Sequence, residues 1–516
     1  MQKLTKPETL LTSFFRKHTL LKVLQTVITL LSLMVLSVTY IKWDNRKLQG
    51  EVARKIRLGD EGKGFREFAS PVIADASNFC AIPCLKDSSG GTGNGERDSI
   101  AKARVENLFR RVKTATSGIH VTAICDDPKT NIPPWADRLC DAVPPALRDS
   151  VSPTSSKSEL LVALLRRFIP ELEQILDASE RPNAQWTPAL RIRKFKGPVQ
   201  FAESQQPSLS LGLAKLLGAL SAVYLEENAP EQAIHCVKAI LKIATASFDE
   251  PLQISNLVAI SVLRSAQDPI RLALSNQMTS IGQIEELLSC LQAIRAIDSY
   301  ARASWGEAAI GLEFIDSLDT RQLRKAFEEQ ATTIPISYHP LLFAFSGALI
   351  KNISLRTLLG QVTPEVPASV ADLPAHLRRL SEWQRETHSP LQHLADKLFP
   401  AQTTRLSLAR TAATAEAQLR LARLACSVEI HRRKNKALPT QLNELPPSVL
   451  ASNEDPLAAA PMHFQAMQPH SPTSPFRIWS VGLDLKNDNG ELEQTKSPPR
   501  ANTPSGDIVW NSFPKN

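Results

Sequence analysis

Four cysteines, Cys80, Cys84, Cys125 and Cys140, fall in one stretch rich in Pro, Gly and Asp. In an oxidising compartment such a set suggests two disulfides, with three connectivities open. Free thiols are the alternative. Zinc is a third reading, but structural zinc sites use paired Cys-x2-Cys knuckles. The spacing Cys80-x3-Cys84 followed by Cys125-x14-Cys140 fits that pattern poorly. Cys236, Cys290 and Cys426 sit inside helical patterns, where Cys acts as a small buried hydrophobe.

Other side chains able to do acid–base work are scattered. His376, Glu382, Glu386, His388 and His393 lie near one another in the chain. His388 and His393 are five apart, the wrong spacing for one helical face. The group reads as exposed polar residues beside a proline turn. Glu307 in Trp305-Gly306-Glu307 and Glu313 are six apart, also poorly aligned on a helix, and read as solvated. No nucleophile elbow, Walker loop, dinucleotide fingerprint or His-Glu-x-x-His motif occurs. The expectation is a chain with no catalytic residues and no enzyme activity.

The elements that would position these residues begin with an anchor. Val23–Ile41 carries no charge, Gly or Pro. As a helix it just crosses the roughly 30 Å hydrocarbon core of a bilayer, with its backbone polar groups paired internally. Val23, Leu30, Leu36 and Ile41 mark the apolar face, and Tyr40 and Trp43 fall where an interfacial aromatic belt belongs. No Ala-x-Ala site follows, so the segment reads as an anchor rather than a cleaved signal. Basic residues flank both ends almost equally. A short basic tail before a single span normally stays in the cytoplasm, which puts the bulk of the chain outside.

The net charge of +8 comes from 60 basic and 52 acidic residues spread along 516 positions. Nucleic-acid proteins concentrate such an excess in one stripe with aromatics interleaved, so a nucleic-acid partner is not expected. The densest basic run, Arg432-Arg433-Lys434 with Lys436, follows an apolar helical stretch and complements a helix C-terminal dipole.

The remaining chain divides by texture. After a basic tail (1–19) and the anchor (20–41), residues 42–155 hold the four cysteines, a Gly/Ser loop at 88–95, a helical pattern over Ile100–Thr114 and an alternating run, Ile119–Ile124, that reads as a strand. Residues 156–335 are helical. Leu161, Leu164, Leu165, Phe168, Leu172 and Ile175 share one helical face, kinked or divided at Pro170. Helices are expected over Leu209–Glu226, Glu231–Ala246, Pro251–Ala266, Ile281–Ser299 and Arg302–Leu318. The pair around Asn228-Ala229-Pro230 resembles a single tetratricopeptide-type hairpin through Leu220, Ser221, Tyr224, Ala233 and Val237, without a second good copy at the repeat's usual spacing. Residues 336–400 form a mixed helical connector, in which Pro340–Ile350 is too short for a second span and reads as a buried helix. Residues 401–516 open with a long amphipathic helix, Thr403–Arg433.

After that helix come Leu438-Pro439-Thr440, Leu445-Pro446, Asp455-Pro456, Trp479-Ser480-x-Gly482-x-Asp484, Asn487-Asp488-Asn489-Gly490 and Asp507-Ile508. This order resembles the C-terminal domain of the major pseudopilin of type II secretion, over roughly residues 415–511. The resemblance implies a small α+β module whose acidic loop binds calcium, through positions matching Asp484, Asp488 and Asp507. The donors suit a hard cation that takes about six to eight oxygens, and Asn487 and Asn489 add two more. Lys486 and Leu485, which stands where the family has Gly, and an extra run at 495–505 depart from the family pattern. A plain acidic turn without metal is the alternative. Val23–Ile41 holds neither the Gly nor the Glu of a prepilin, so the whole chain resembles instead bacterial membrane-anchored proteins in which a helical body precedes such a tail.

The fold expected is therefore mainly α: one N-terminal transmembrane helix, an irregular helical-hairpin array and a small C-terminal pseudopilin-like α+β module. The function expected is that of a structural or interaction protein of the bacterial inner membrane, with lipid and envelope proteins as partners and an association with a type II secretion or pilus-like system. The alternative is a membrane-tethered hydrolase with a site assembled from dispersed residues.

Overall fold

A computed structural model describes residues 8–55, 73–82, 85, 107–108, 110–112, 157–186, 206–317, 351–352, 355–356, 367, 369–386, 405–450, 453–467, 475–490 and 506–512. They are mainly helical, with a small sheet region near the C-terminus. The chain divides into two compact units: a larger one of 64–308, 364–387 and 400–516, and a smaller one of 1–63, 309–363 and 388–399.

In the smaller unit, Glu8–Lys55 is a single helix, α1. Beyond Ile41 one of its faces is buried, with Asn45, Leu48 and Val52 inside. Asn352 donates to Asp44 Oδ2 at 2.9 Å, and Arg356 pairs with the same oxygen. The Asn352 amide, aided by Arg356 and Lys47, holds the Asp44 carboxyl below the usual aspartate range.

The larger unit is built on helices α2 (Lys157–Leu165), α3 (Ile169–Ser179), α4 (Gln206–Glu226), α5 (Pro230–Phe248), α6 (Gln253–Ser275), α7 (Ile281–Ala293), the first part of α8 (Ala296–Ser317), α9 (Leu373–Glu386) and α10 (Arg405–Asn435). The face expected over 161–175 is divided, as Pro170 allows: Pro fits the first turn of a helix, where its missing N–H has no partner to lose, and it opens α3 there. Asn228 takes φ of 56° and Pro230 starts α5, which closes the α4–α5 hairpin. Ser221 Oγ ties that hairpin by donating to the Ala233 carbonyl at 3.1 Å. Ser280 and Gln283 form a reciprocal capping box at the start of α7. Helices α4, α5 and α6 pack on one another, and α10 packs against α6, α7 and α9.

By length and apolar composition, Ser208–Glu226 of α4 is long and apolar enough to cross a bilayer. It is mostly buried: Leu209, Leu213, Leu216 and Leu217 are fully inside the helical core, which makes it a core helix.

Three expectations for this unit are corrected. Helix α6 does not stop at Ala266 but runs through Pro269 to Ser275. The break expected after Ser299 lies at Ile294–Arg295, between α7 and α8. Helix α10, expected to be amphipathic, buries its polar positions too: Glu416, Arg420, Arg423 and Glu429 lie inside with its apolar residues.

Past α10, a short helix α11 (Pro447–Leu450) leads to a two-stranded ladder, β1 (Glu454–Asp455) with β2 (Ala460–Pro461), and a three-stranded antiparallel sheet, β3 (His463–Ala466), β4 (Phe476–Ser480) and β5 (Ile508–Asn511), with β4 central. Phe476, Ile478 and Trp510 join the same core as the helices, and β4 and β5 lie on α10.

Candidate functional site

The acidic residues of the tail gather at one end of the small sheet. Strand β4 ends at Ser480, and Asp455 holds that end in place. Its carboxylate accepts from Ser480 Oγ at 2.9 Å, Val481 N at 3.0 Å and Leu457 N at 2.9 Å. Sequence reading noted the Asp455-Pro456 step but not this role; its Asp type ahead of a turn was the available sign.

The loop after β4 is tightly wound. Gly482, Leu485, Asn489 and Gly490 all have φ between 60° and 69°. Leu485 thus stands where glycine carries no steric cost. At Gly490 a Cβ would lie 2.6 Å from Arg477 Cδ and 3.1 Å from the Trp479 ring, so the close approach itself requires glycine. Asn487 Oδ1 accepts from Trp479 Nε1 at 2.9 Å and from Asn489 N at 3.0 Å, while Asp484 accepts from Lys486 N at 3.1 Å.

Asp507, just before β5, closes the loop. Its Oδ2 accepts from Gly490 N at 2.7 Å. Its Oδ1 is buried and has no hydrogen-bond partner. Burial pushes the Asp507 carboxyl up, and the charges of Asp488 and Asp484 add to that; N–H donors of Gly490 and Asp488 oppose it. Asp484, Asp488 and Asp507 therefore share one loop, with Asp488 exposed and Asp484 half-buried. They do not form a ready cluster: among the described residues no three His, Cys, Asp or Glu side chains are grouped to hold a metal ion.

The other candidates separate. Cys80 is a free, fully buried thiol in the same core as Phe79 and Leu85. Burial pushes its thiol well up, aided by the nearby carboxylates Glu250 and Asp249, which disfavours the reactive thiolate. Cys84, Cys125 and Cys140 lie outside the described residues, as do the Ile119–Ile124 run, Pro340–Ile350, His388 and His393. Of the anchor positions, Leu36 is exposed and Ile41 half-buried, while the side chains of Val23 and Leu30 lie outside the described residues.

His376 is corrected from exposed to fully buried. It follows Leu373 by three residues and precedes Leu380 by four, so it lies on the apolar face of α9, and its Nε2 is 3.0 Å from the Tyr300 hydroxyl. With both rings sealed from solvent, the pair locks α9 to α8 rather than meeting a substrate. Glu382 is exposed. Glu307 is corrected from a solvated to a capping residue. Its Oε1 accepts from Gln253 N at 3.1 Å at the start of α6, where a carboxylate complements the helix dipole. Burial raises its pKa and that N–H opposes the rise.

Sequence reading missed the charged face of α10. Arg423 donates to the carbonyls of Leu291 and Ile294 at the end of α7. Arg433 pairs with Glu429 and donates to the carbonyls of Leu274, in the last turn of α6, and of Asn276 and Thr279 just past it. Arg420 bonds Glu416 and the Glu454 carbonyl. Arg433 of the basic run thus closes the C-terminus of α6, while the run itself stands in the last turn of α10. A cleft beside it, lined by Arg271, Glu429, Arg432, Phe476 and Trp510, has a cavity of about 10 Å³, room for one water at most.

No family model, no curated protein and no solved structure matches this chain.

Proposed function

We propose that the chain is a single-pass protein of the bacterial inner membrane, with its N-terminus in the cytoplasm and its helical body outside, and that it acts as a structural or interaction component rather than as an enzyme. The observation that carries this reading is the outer arc of α1, where Ile28, Leu33, Val35, Leu36 and Tyr40 are all more than half exposed. A row of large apolar side chains on one helix is costly in water, at about 25 cal/mol per Å², and at home in hydrocarbon. The length of the uncharged stretch supports the same reading. The order of tail residues around Trp479-Ser480-x-Gly482-x-Asp484 and Asp507-Ile508 supports a role beside a type II secretion or pilus-like system. Alkaline carbonate washing of membranes tests the anchor: the full chain stays in the pellet, and its release would overturn the proposal. Protease treatment of spheroplasts tests the orientation: the body is digested and the tail before Val23 is protected.

A second element of this reading concerns calcium, and Asp507 favours it. A buried carboxylate oxygen without a partner, under the added negative charge of Asp488 and Asp484, is costly unless a cation neutralises it. Asp507, Asp488 and Asp484 would hold the ion, which would supply positive charge and stiffen the loop. The test is thermal unfolding of the detergent-solubilised full chain with calcium and with a chelator. Calcium raises Tm in the wild type and not in Asp507→Asn; equal Tm values with and without calcium would leave a plain turn.

A further inference from the structure

Immediately past the proposed span, α1 turns a basic surface outward. Lys42, Arg46 and Lys47 are exposed, together with Trp43 at 59%. At about 100° per residue, Arg46 falls in line with Ile28, five turns earlier, and Lys42 and Lys47 flank it. The cations thus continue the exposed apolar arc rather than occupying another side of the helix. Among the described residues none of the three forms an ion pair.

Asp44 is the acidic residue that lies among them in the chain, and its carboxylate is bound by other donors. Asn352 and Arg356 bind the Asp44 carboxylate, only 13% of its side chain is exposed, and of the three cations Lys47 alone attracts it. The helix is therefore divided lengthwise, with Asn45, Leu48 and Val52 on a buried face and an outer face on which three exposed cations next to the span outnumber the half-exposed Glu51 one turn further on. At 1.5 Å per residue, Lys42, Arg46 and Lys47 stand about 2 to 9 Å beyond Ile41. That is the depth of the headgroup layer, and long Lys and Arg side chains extend to reach it.

We propose that Lys42, Arg46 and Lys47 form a docking surface for acidic phospholipid headgroups, which gathers anionic lipid around the point where α1 leaves the bilayer. The charges match, the surface is continuous with the apolar arc, and each cation near an anionic membrane surface attracts it within a Debye length of about 10 Å. Arg54, also exposed but roughly 18 Å further along than Lys42, lies beyond that range.

This inference rests on the anchor reading, and one experiment separates the two. The full chain is reconstituted into vesicles of equal parts phosphatidylcholine and phosphatidylglycerol. Spin-labelled versions of each lipid then report which one the protein immobilises. Phosphatidylglycerol is expected to be preferred several-fold at low salt, with the preference falling as salt rises. The triple variant Lys42→Gln, Arg46→Gln, Lys47→Gln should lose it, whereas Arg54→Gln should keep it. Protein that survives carbonate washing but shows no preference, or a triple variant that retains it, overturns the inference and leaves the anchor standing. The first of these outcomes would redirect the surface to an acidic protein. Protein stripped by the wash overturns both.

Discussion

Arg423 donates to the Leu291 carbonyl twice, through Nε at 3.2 Å and Nη2 at 3.0 Å. Nη2 also reaches the Ile294 carbonyl at 2.7 Å. The last carbonyls of any helix lack partners within it, and those of α7 are met by a side chain from α10, more than a hundred residues on. Replacement by Met keeps much of the volume but removes the donors to the Ile294 carbonyl, leaves the Leu291 carbonyl with the Ile294 N–H at 3.3 Å, and takes away part of the charge balance of Glu416. Arg423→Met should destabilise the larger unit by about 3 kcal/mol. Arg423→Lys should recover only part, because an ammonium lacks the planar fork. Denaturant unfolding of the solubilised chain checks both; wild-type midpoints for either variant would contradict the role.

Two glycines in helices should respond in opposite directions. A Cβ at Gly306 would lie 2.1 Å from the Pro251 carbonyl oxygen. Gly306→Ala must push α8 away from the start of α6, at about 1–3 kcal/mol. Gly50 of α1 has nothing within 4 Å of its would-be Cβ. There Ala removes only the entropic cost of glycine, a gain of about 0.5–1 kcal/mol. Paired melting curves decide, and a loss at Gly50 as large as that at Gly306 would refute the argument.

The Glu307 carboxyl titrates above its usual 4.5 because burial disfavours its charge. A carboxyl raised on folding binds its proton more tightly in the native state, so stability falls as pH rises from 4.5 through the raised value. Glu307→Gln keeps an acceptor for Gln253 N–H without the charge. At neutral pH its Tm should equal or exceed that of the wild type, and the gap should close below pH 4.5. Glu307→Ala, which removes the cap, should melt lower at every pH. A pH series of Tm values for the three proteins tests the sign.

Cys80, Cys236 and Cys426 are all buried, and burial pushes each thiol up. Iodoacetamide at mildly alkaline pH should leave these three untouched in the native protein and modify them after denaturant is added, as read by peptide mass spectrometry. Rapid native alkylation of Cys80 would contradict its place in the core.

The helices that rest on local pattern were readable. Leu161 through Ile175 showed their face, Asn228-Ala229-Pro230 its turn, and the helical pattern from Ile281 the start of α7. The ends of α6 and α7 were not. Nothing near Ser275 or Ile294 announces a stop, because the groups that satisfy those ends are Arg433 and Arg423, far along the chain. The same fact explains why α10 looked amphipathic: its polar residues are buried against distant carbonyls, which no local periodicity reveals. His376 was legible in retrospect from its place between Leu373 and Leu380. In the tail, the residue order marked the acidic loop, but the orphan oxygen of Asp507 depends on how β5 seats against β4.

That the arginines of α10 terminate earlier helices has a consequence for biosynthesis. As the polypeptide leaves the ribosome, α6 and α7 emerge with frayed ends that nothing yet translated can seal. Their completion waits for residues 423–433, so a nonsense codon anywhere before that point leaves the preceding bundle open and available to chaperones and proteases.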